Sequence, residues 1–347
     1  MAKIWKITRH IKSQPQSDHP LKIPVQSMSS EHSPASSDHI WTRSSKEKAD
    51  AFVKHLEDRF SPKMTTLEQE RIAIINDLND FYAHSPSPPS APIFFRLEEL
   101  QTQIAALATA KSPGEDQIQN ALIKLLPKKA VLYLLHIYNS VLRLGHFPHQ
   151  WKLAVITMIH KTGKPNHCPD SYRPISLLSG FGKLFERLLL SKLFKCKNFA
   201  EAIPEHQFGF RPEHSSEQQV LRVTQHILRA FEEKEHCSAI FLDFSQAFDR
   251  VWHEGLLQKL SKIVPKQLHK VLTSYLQNRT FKVKGTGGIR SRLGSISAGV
   301  PQGSILGPIL YSIYTSDMPL PDAVPIISRN CTLTPTKLLL ATYADDT

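Results

Sequence analysis

Residues 238–252 read SAIFLDFSQAFDRVW, a short apolar run that meets a carboxylate at Asp243 and then turns through polar and aromatic residues. A second run of this kind, LLLATYADDT over residues 338–347, meets Asp345 and Asp346. Short apolar runs of this length read as buried strands. A carboxylate at a strand end can be held rigidly while still facing a cleft. Two or three such groups converging would bind a pair of Mg²⁺ ions through hard oxygen ligands. Two metals can activate an attacking hydroxyl and stabilise a leaving oxygen, which is what nucleotidyl transfer requires. Asp243 alone could equally begin a turn. Adjacent Asp345 and Asp346 are harder to read that way, because neighbouring like charges repel unless a cation sits between them.

Outward from these runs the chain is mostly helical. Residues 11–43 are rich in Ser, Pro, His and Gln and are expected to be mostly disordered. Ser44-Ser45-Lys46-Glu47 looks like a capping box. Ala49, Phe52, Val53, Leu56 and Phe60 follow at helical spacing, and Ser61-Pro62 ends that helix. A second helix is expected over about Leu67 to Tyr82. The proline-rich stretch at 84–92 reads as a stiff linker. Further helices are marked by Leu97 to Leu107, by Ile118 to Leu125, and from Pro127 to Gly145. Ala154–Ile159 reads as a buried strand, followed by a turn at Thr162–Pro165. Ile175–Leu193 reads as helix, as do Val251–Leu260, Pro265–Gln277 and Ile305–Tyr314. Phe281–Ile296 looks like a Gly-punctuated hairpin, and Leu338–Tyr343 like a last strand.

Composition narrows the partners. The 347 residues carry a formal net charge of +12, with 41% hydrophobic residues. A basic excess suits a polyanion, since each phosphate contact releases counterions; a solvated basic surface would give the same count. The four cysteines, Cys168, Cys196, Cys237 and Cys331, form no C-x-x-C pair, so zinc is not expected and buried or idle thiols are. They fit an intracellular, reducing compartment, nucleus or cytoplasm. The apolar stretch Ala130–Leu135 is too short to span a bilayer, and no membrane partner is expected.

Three segments in order carry a resemblance: FLDFSQAFDRVW at 241–252, GVPQGSILGP at 299–308 and YADDT at 343–347. Together they look like motifs A, B and C of reverse transcriptases, where YADD alone would be weak. Lys111-Ser-Pro-Gly-Glu-Asp116, Tyr172-Arg-Pro-Ile-Ser-Leu-Leu178 and Gln207-Phe-Gly-Phe-Arg211 resemble upstream blocks of the non-LTR retrotransposon kind. Trp41 and the KADAFVKHLEDRF helix at 48–60 resemble the connector of jockey-type elements.

The resemblance implies roles residue by residue. Asp243 and Asp345 would hold two Mg²⁺ ions, with Mn²⁺ able to substitute and the Phe244 carbonyl assisting; Asp346 would complete the acidic cluster. Lys161 and Arg173 would contact the triphosphate, Arg in a bidentate manner; a solvated turn lysine is the plain alternative for Lys161. Phe248 would pack beneath the sugar and leave no room for a 2′-hydroxyl, where without the motif it would be a core phenylalanine. Gln302 and Gly303 would lie against the nascent base pair and template, Gly303 permitting close backbone approach. Arg211 would track the template strand.

The implied fold is α/β (α+β), a right-hand polymerase with a helical connector, fingers and a truncated palm of ferredoxin-like topology. Its segments would be a disordered basic stretch (1–43), a helical connector with the Pro-rich linker (44–92), fingers (93–237) and an incomplete palm (238–347). The implied partners are an RNA template, a DNA primer and deoxynucleoside triphosphates; the sequence does not reveal oligomeric state. The chain stops at Thr347 and nothing of a thumb or endonuclease is recognisable, so weak or absent activity is expected of this polypeptide alone. Two other readings stand beside this one. A viral RNA-dependent RNA polymerase would carry Gly-Asp-Asp and lack an aromatic at Phe248. A catalytically dead retroelement relic would bind RNA and inherit its motifs unused.

Overall fold

The structure is a computed structural model that describes residues 19–24, 39–62, 68–84, 91–211, 213–318, 327–328, 331–332 and 339–343. Its centre is a four-stranded sheet. The strands β3 (Leu153–His160), β4 (Tyr172–Leu177), β5 (Arg279–Val283) and β6 (Gly294–Ile296) lie in the order β4-β3-β5-β6. β3 pairs antiparallel with β4 and parallel with β5, and β6 returns antiparallel on β5. Opposed residues share a face. Ile156 stands opposite Ser176 and Val283, and Met158 opposite Pro174.

That face is covered by helix α1 (Ser45–Arg59). The Ser44 cap forms, but the return bond of the expected capping box falls one residue early. The Ser44 hydroxyl accepts from the Glu47 amide at 3.1 Å, and the Glu47 carboxylate accepts from the Arg43 amide at 2.7 Å. One orphan donor of the first turn is thereby satisfied, and the second bond ties down the residue before the cap. Phe52, Val53, Leu56 and Phe60 then pack on Ala154, Ile156, Met158, Phe281 and Val283 in one buried cluster. The helix that reads as a connector is therefore one layer of the sheet's core.

A larger cluster lies among the helices. It joins α3 (Leu97–Ala105), α5 (Lys128–Leu144), α7 (Gly180–Phe194), α10 (His253–Ser261), α11 (Lys266–Leu276) and α12 (Gly307–Tyr314); α2 (Glu68–Ala83) packs along α10. α4 (Asn120–Lys124), α6 (His149–Lys152) and α8 (Lys197–Glu201) are short links, and α9 (Ser216–Glu232) lies apart with Gln219 as its one buried residue. Gly145 caps α5 at φ 65°, a conformation glycine adopts without strain.

Several expectations are corrected. Ile175 belongs to strand β4, and helix begins only at Gly180. β4 is an edge strand, where Pro174 is tolerated. Within 11–43, the described residues 19–24 and 39–43 are ordered: β1 (Lys22–Pro24) and β2 (His39–Trp41) form a ladder and Leu21 is fully buried beside α1, while the rest of the segment lies outside the described residues. Residues 238–242 form no strand. Ile240, Phe241 and Leu242 are 83%, 86% and 54% exposed, because an apolar run becomes a strand only where a neighbour completes its ladder. Over 339–343 isolated bridging, including the parallel bridge of Gln207 to Thr342, stands in place of the expected strand. Helix α9 was not foreseen, although Ser215 and Gln218 spell its capping box.

Candidate functional site

The segment 243–252 leaves solvent in steps. Asp243 and Phe244 are exposed. The Phe244 carbonyl accepts the Ala247 amide at 3.3 Å. Gln246 turns the chain at φ 61° into a 3₁₀ turn over Ala247–Arg250. Phe248 is half-buried, with its ring 4.6 Å from Tyr311 and 5.9 Å from Phe210. Asp249 is buried.

The loop 297–304 lies directly on this turn. The Val300 amide donates to the Phe248 carbonyl at 2.7 Å, and the Gly299 amide to the Val251 carbonyl at 2.8 Å. His253 Nε2 donates to the Gly299 carbonyl at 2.8 Å. The Ser297 and Ala298 amides both donate to the carbonyl of Phe60, at the end of α1. Gly303, at φ 109°, sits where a Cβ would meet the Ser176 carbonyl at 2.8 Å. The Gln302 carbonyl accepts the Ser176 amide at 3.0 Å, so this loop also seals the edge of β4.

Sequence reading passed over the pair that joins these loops. Arg59, the last residue of α1, donates from Nε and Nη2 to Asp249 Oδ2, each at 2.6 Å. Gln302 Nε2 donates to Asp249 Oδ1 at 2.9 Å. Burial pushes the Asp249 carboxyl up from its ordinary range, and the Arg59 guanidinium and Gln302 amide pull against that. Removing one partner from such a pair costs about 3–5 kcal/mol, because the other charge is left buried and uncompensated. Asp249 could have been singled out as a second acid in an aromatic run, since an aspartate there needs a cation. Arg59 gave no signal, since an arginine ending a helix is ordinary.

The remaining candidates fall in two groups. Arg173 is exposed and stands opposite Ile159, on the sheet face away from α1. Lys161 continues that strand, but its Nζ donates to the Asp170 carbonyl at 3.0 Å. Arg211 likewise donates to the Pro204 carbonyl at 3.1 Å. Asp345 and Asp346 lie outside the described residues. No group of three or more metal-ligating side chains occurs among the described residues.

The segment leading to that acidic pair is anchored. The Thr342 carbonyl accepts the Phe208 amide at 3.1 Å and Gln219 Nε2 at 3.0 Å. The Thr342 amide and hydroxyl both donate to the His206 carbonyl. Arg222 donates to the Leu340 carbonyl at 3.3 Å. The stretch 206–210 therefore holds Thr342 at one end and, through Phe210, touches Phe248 at the other. Phe210 adopts φ 58°, unusual for an aromatic residue, and this conformation aims its ring at Phe248.

Comparison with known proteins adds to this geometry. Residues 159–347 match the family described as reverse transcriptase (RNA-dependent DNA polymerase). The chain is 43% identical over 347 residues to a probable RNA-directed DNA polymerase from transposon BS of Drosophila melanogaster, covering 99% of this chain and 35% of that protein. It is 44% identical over 345 residues to the RNA-directed DNA polymerase from mobile element jockey of the same fly, again covering 99% and 35%. The corresponding jockey protein of Drosophila funebris is 40% identical over 344 residues, with the same coverage. The chain thus spans about a third of the length of these relatives.

Proposed function

The chain belongs to the reverse transcriptase family, and from that premise we propose that it forms the fingers and part of the palm of a right-hand polymerase from a jockey-type non-LTR retrotransposon. The reaction is template-directed addition of deoxynucleotides to a primer 3′-OH, copying RNA into DNA inside the cell. The observation that carries this reading is the shared docking of Thr342 and Phe248 on residues 206–210. Three Cα–Cα steps lead from Thr342 to Asp345, a reach of at most about 11 Å. On this reading the acidic pair would come within reach of the turn that follows Asp243.

Asp243, the Phe244 carbonyl, Asp345 and Asp346 are the groups that would hold divalent cations, and hard oxygen donors suit Mg²⁺. When bound, two such ions supply activation of the attacking hydroxyl and stabilisation of the leaving oxygen. The exposure of Asp243 leaves its carboxylate accessible to a cation. Arg173 is the first candidate for the triphosphate, since its side chain is exposed. Lys161 and Arg211 would have to leave the carbonyls of Asp170 and Pro204 to reach a phosphate or a template. Phe248 is braced by Tyr311 and Phe210, so its ring cannot swing away from an added 2′-hydroxyl. Gln302 would face the nascent pair. Gly303 serves the approach of its loop to β4 as well as any approach to template.

Primer extension on an RNA template, with a DNA primer, deoxynucleotides and Mg²⁺, tests this reading. Weak DNA product at most is expected of this chain, and it should disappear in Asp243→Asn. Product unaffected by that substitution would refute it, and salt-sensitive RNA binding without extension would favour an inactive relic.

A further inference from the structure

The buried Arg59–Asp249–Gln302 chain has a consequence for the polarity of the site. A carboxylate can only accept hydrogen bonds. Gln302 must therefore turn its NH₂ toward Asp249 Oδ1, as it does at 2.9 Å. Its carbonyl oxygen is then directed away from Asp249, as an acceptor. This orientation holds only while Asp249 is ionised, because a protonated carboxyl would donate and invite the amide to flip. Asp249 is 2% exposed, in surroundings that disfavour charge. The group that opposes this is Arg59, whose Nε and Nη2 both reach Oδ2 at 2.6 Å.

We propose that Arg59 and Asp249 are positioning residues: the C-terminal end of α1 fixes the loop 297–303 and orients Gln302 so that it presents an acceptor to the incoming nucleotide and template. A second set of bonds from the same helix end supports this, since the Phe60 carbonyl holds the Ser297 and Ala298 amides. Phe60, Asp249, Gly299, Pro301 and Gln302 line one narrow cleft with Ser176, so helix end, turn and loop meet at a single place. The helix that resembles a connector is, on this view, part of the nucleotide-selecting machinery. The inference rests on the proposed role of Gln302, and its test separates the two.

The test replaces the ion pair by an apolar one, Arg59→Met with Asp249→Leu, which removes both charges together and so spares the fold. Hydrogen exchange at the amides of Ser297, Ala298, Gly299 and Val300 is expected to quicken about tenfold, with β3 unchanged. In primer extension the KM for deoxynucleotide should rise about tenfold while kcat stays within about twofold. Adding Gln302→Ala should change KM by less than about twofold more, because the side chain has already lost its orientation. Arg59→Lys, which keeps a cation against Asp249, should recover most of the wild-type KM. Unchanged exchange at the four amides would overturn the inference. So would an unchanged KM in an active chain, or a Gln302→Ala effect that multiplies fully. If the wild-type chain adds too little nucleotide for a KM, as its expected weak activity allows, the exchange arm decides the anchoring. If the double variant does not fold, Asp249→Asn gives the same exchange comparison.

Discussion

Replacing Gly299 by alanine should separate two costs that the structure assigns to one position. A Cβ there would lie 2.6 Å from the Asp249 carbonyl oxygen, 2.7 Å from its carbon and 2.9 Å from its Cα. All three are backbone atoms of a buried turn, so none can rotate aside. The residue also has φ 91°, which L side chains rarely adopt. The conformational part is about 1–2 kcal/mol. Lifting the loop breaks or lengthens the bonds from Gly299 to Val251 and from Val300 to Phe248, each worth about 1 kcal/mol. The sum is about 3–4 kcal/mol, a large share of the 5–15 kcal/mol typical of folded proteins. Gly163 is the internal control, having φ 78° but nothing within 4 Å of its Cβ position. Gly163→Ala should show the conformational part alone. Both variants are read by urea denaturation, as shifts of midpoint at constant slope. Equal losses in the two variants would refute the close approach at Gly299, and a loss under about 0.5 kcal/mol there would refute the loop geometry altogether.

Three further outcomes are expected. Phe248→Ala should raise ribonucleotide incorporation relative to deoxynucleotide at least about tenfold, worth about 1.4 kcal/mol, in a competition primer-extension assay; unchanged discrimination removes the gate from this residue. Glu186→Ala should cost about 3 kcal/mol by denaturation, since the buried carboxylate accepts the Ile305 and Leu306 amides at 2.7 and 3.0 Å and the alanine leaves both unpaired; Glu186→Gln should retain most of that. For Glu99, burial pushes the carboxyl up, but Lys192, the Arg96 amide and Lys195 outweigh it and leave it at about 2, below its ordinary 4.5. Its contribution is therefore present above about pH 4.5 and fades as pH falls toward 2. At this partly exposed site it is worth about 1 kcal/mol after screening, so Glu99→Gln should flatten the stability–pH slope in that window and lower stability at pH 7 by that amount.

Much of the helical frame was legible because caps and stripes are local. Ser44 and Glu47 announce α1, Pro127 and Gly145 bracket α5, and the apolar spacing between them names the buried face. Strands were harder, since a strand exists only through its partner. Ile240–Leu242 has the composition of a strand and remains exposed, while Ile175 continues an apolar run into α7 yet pairs with Thr157 in the sheet. Of the candidate site, Phe248, Gln302 and Gly303 were named from motif strings; the structure bonds Gln302 to Asp249 and packs Gly303 on Ser176. Arg59 was invisible because its meaning comes from a residue 190 positions away. Lys161 and Arg211 were visible as cations, but their ties to local carbonyls were not, since backbone acceptors leave no mark in a sequence.

Manganese binding followed by electron paramagnetic resonance tests the central claim most directly, because it reads the convergence of the carboxylates without requiring turnover. Asp243→Asn and Asp345→Asn should each weaken Mn²⁺ binding at least about tenfold, and the double variant should lose little more, as expected when two ligands share an ion. Mn²⁺ affinity unchanged in both single variants would contradict the account.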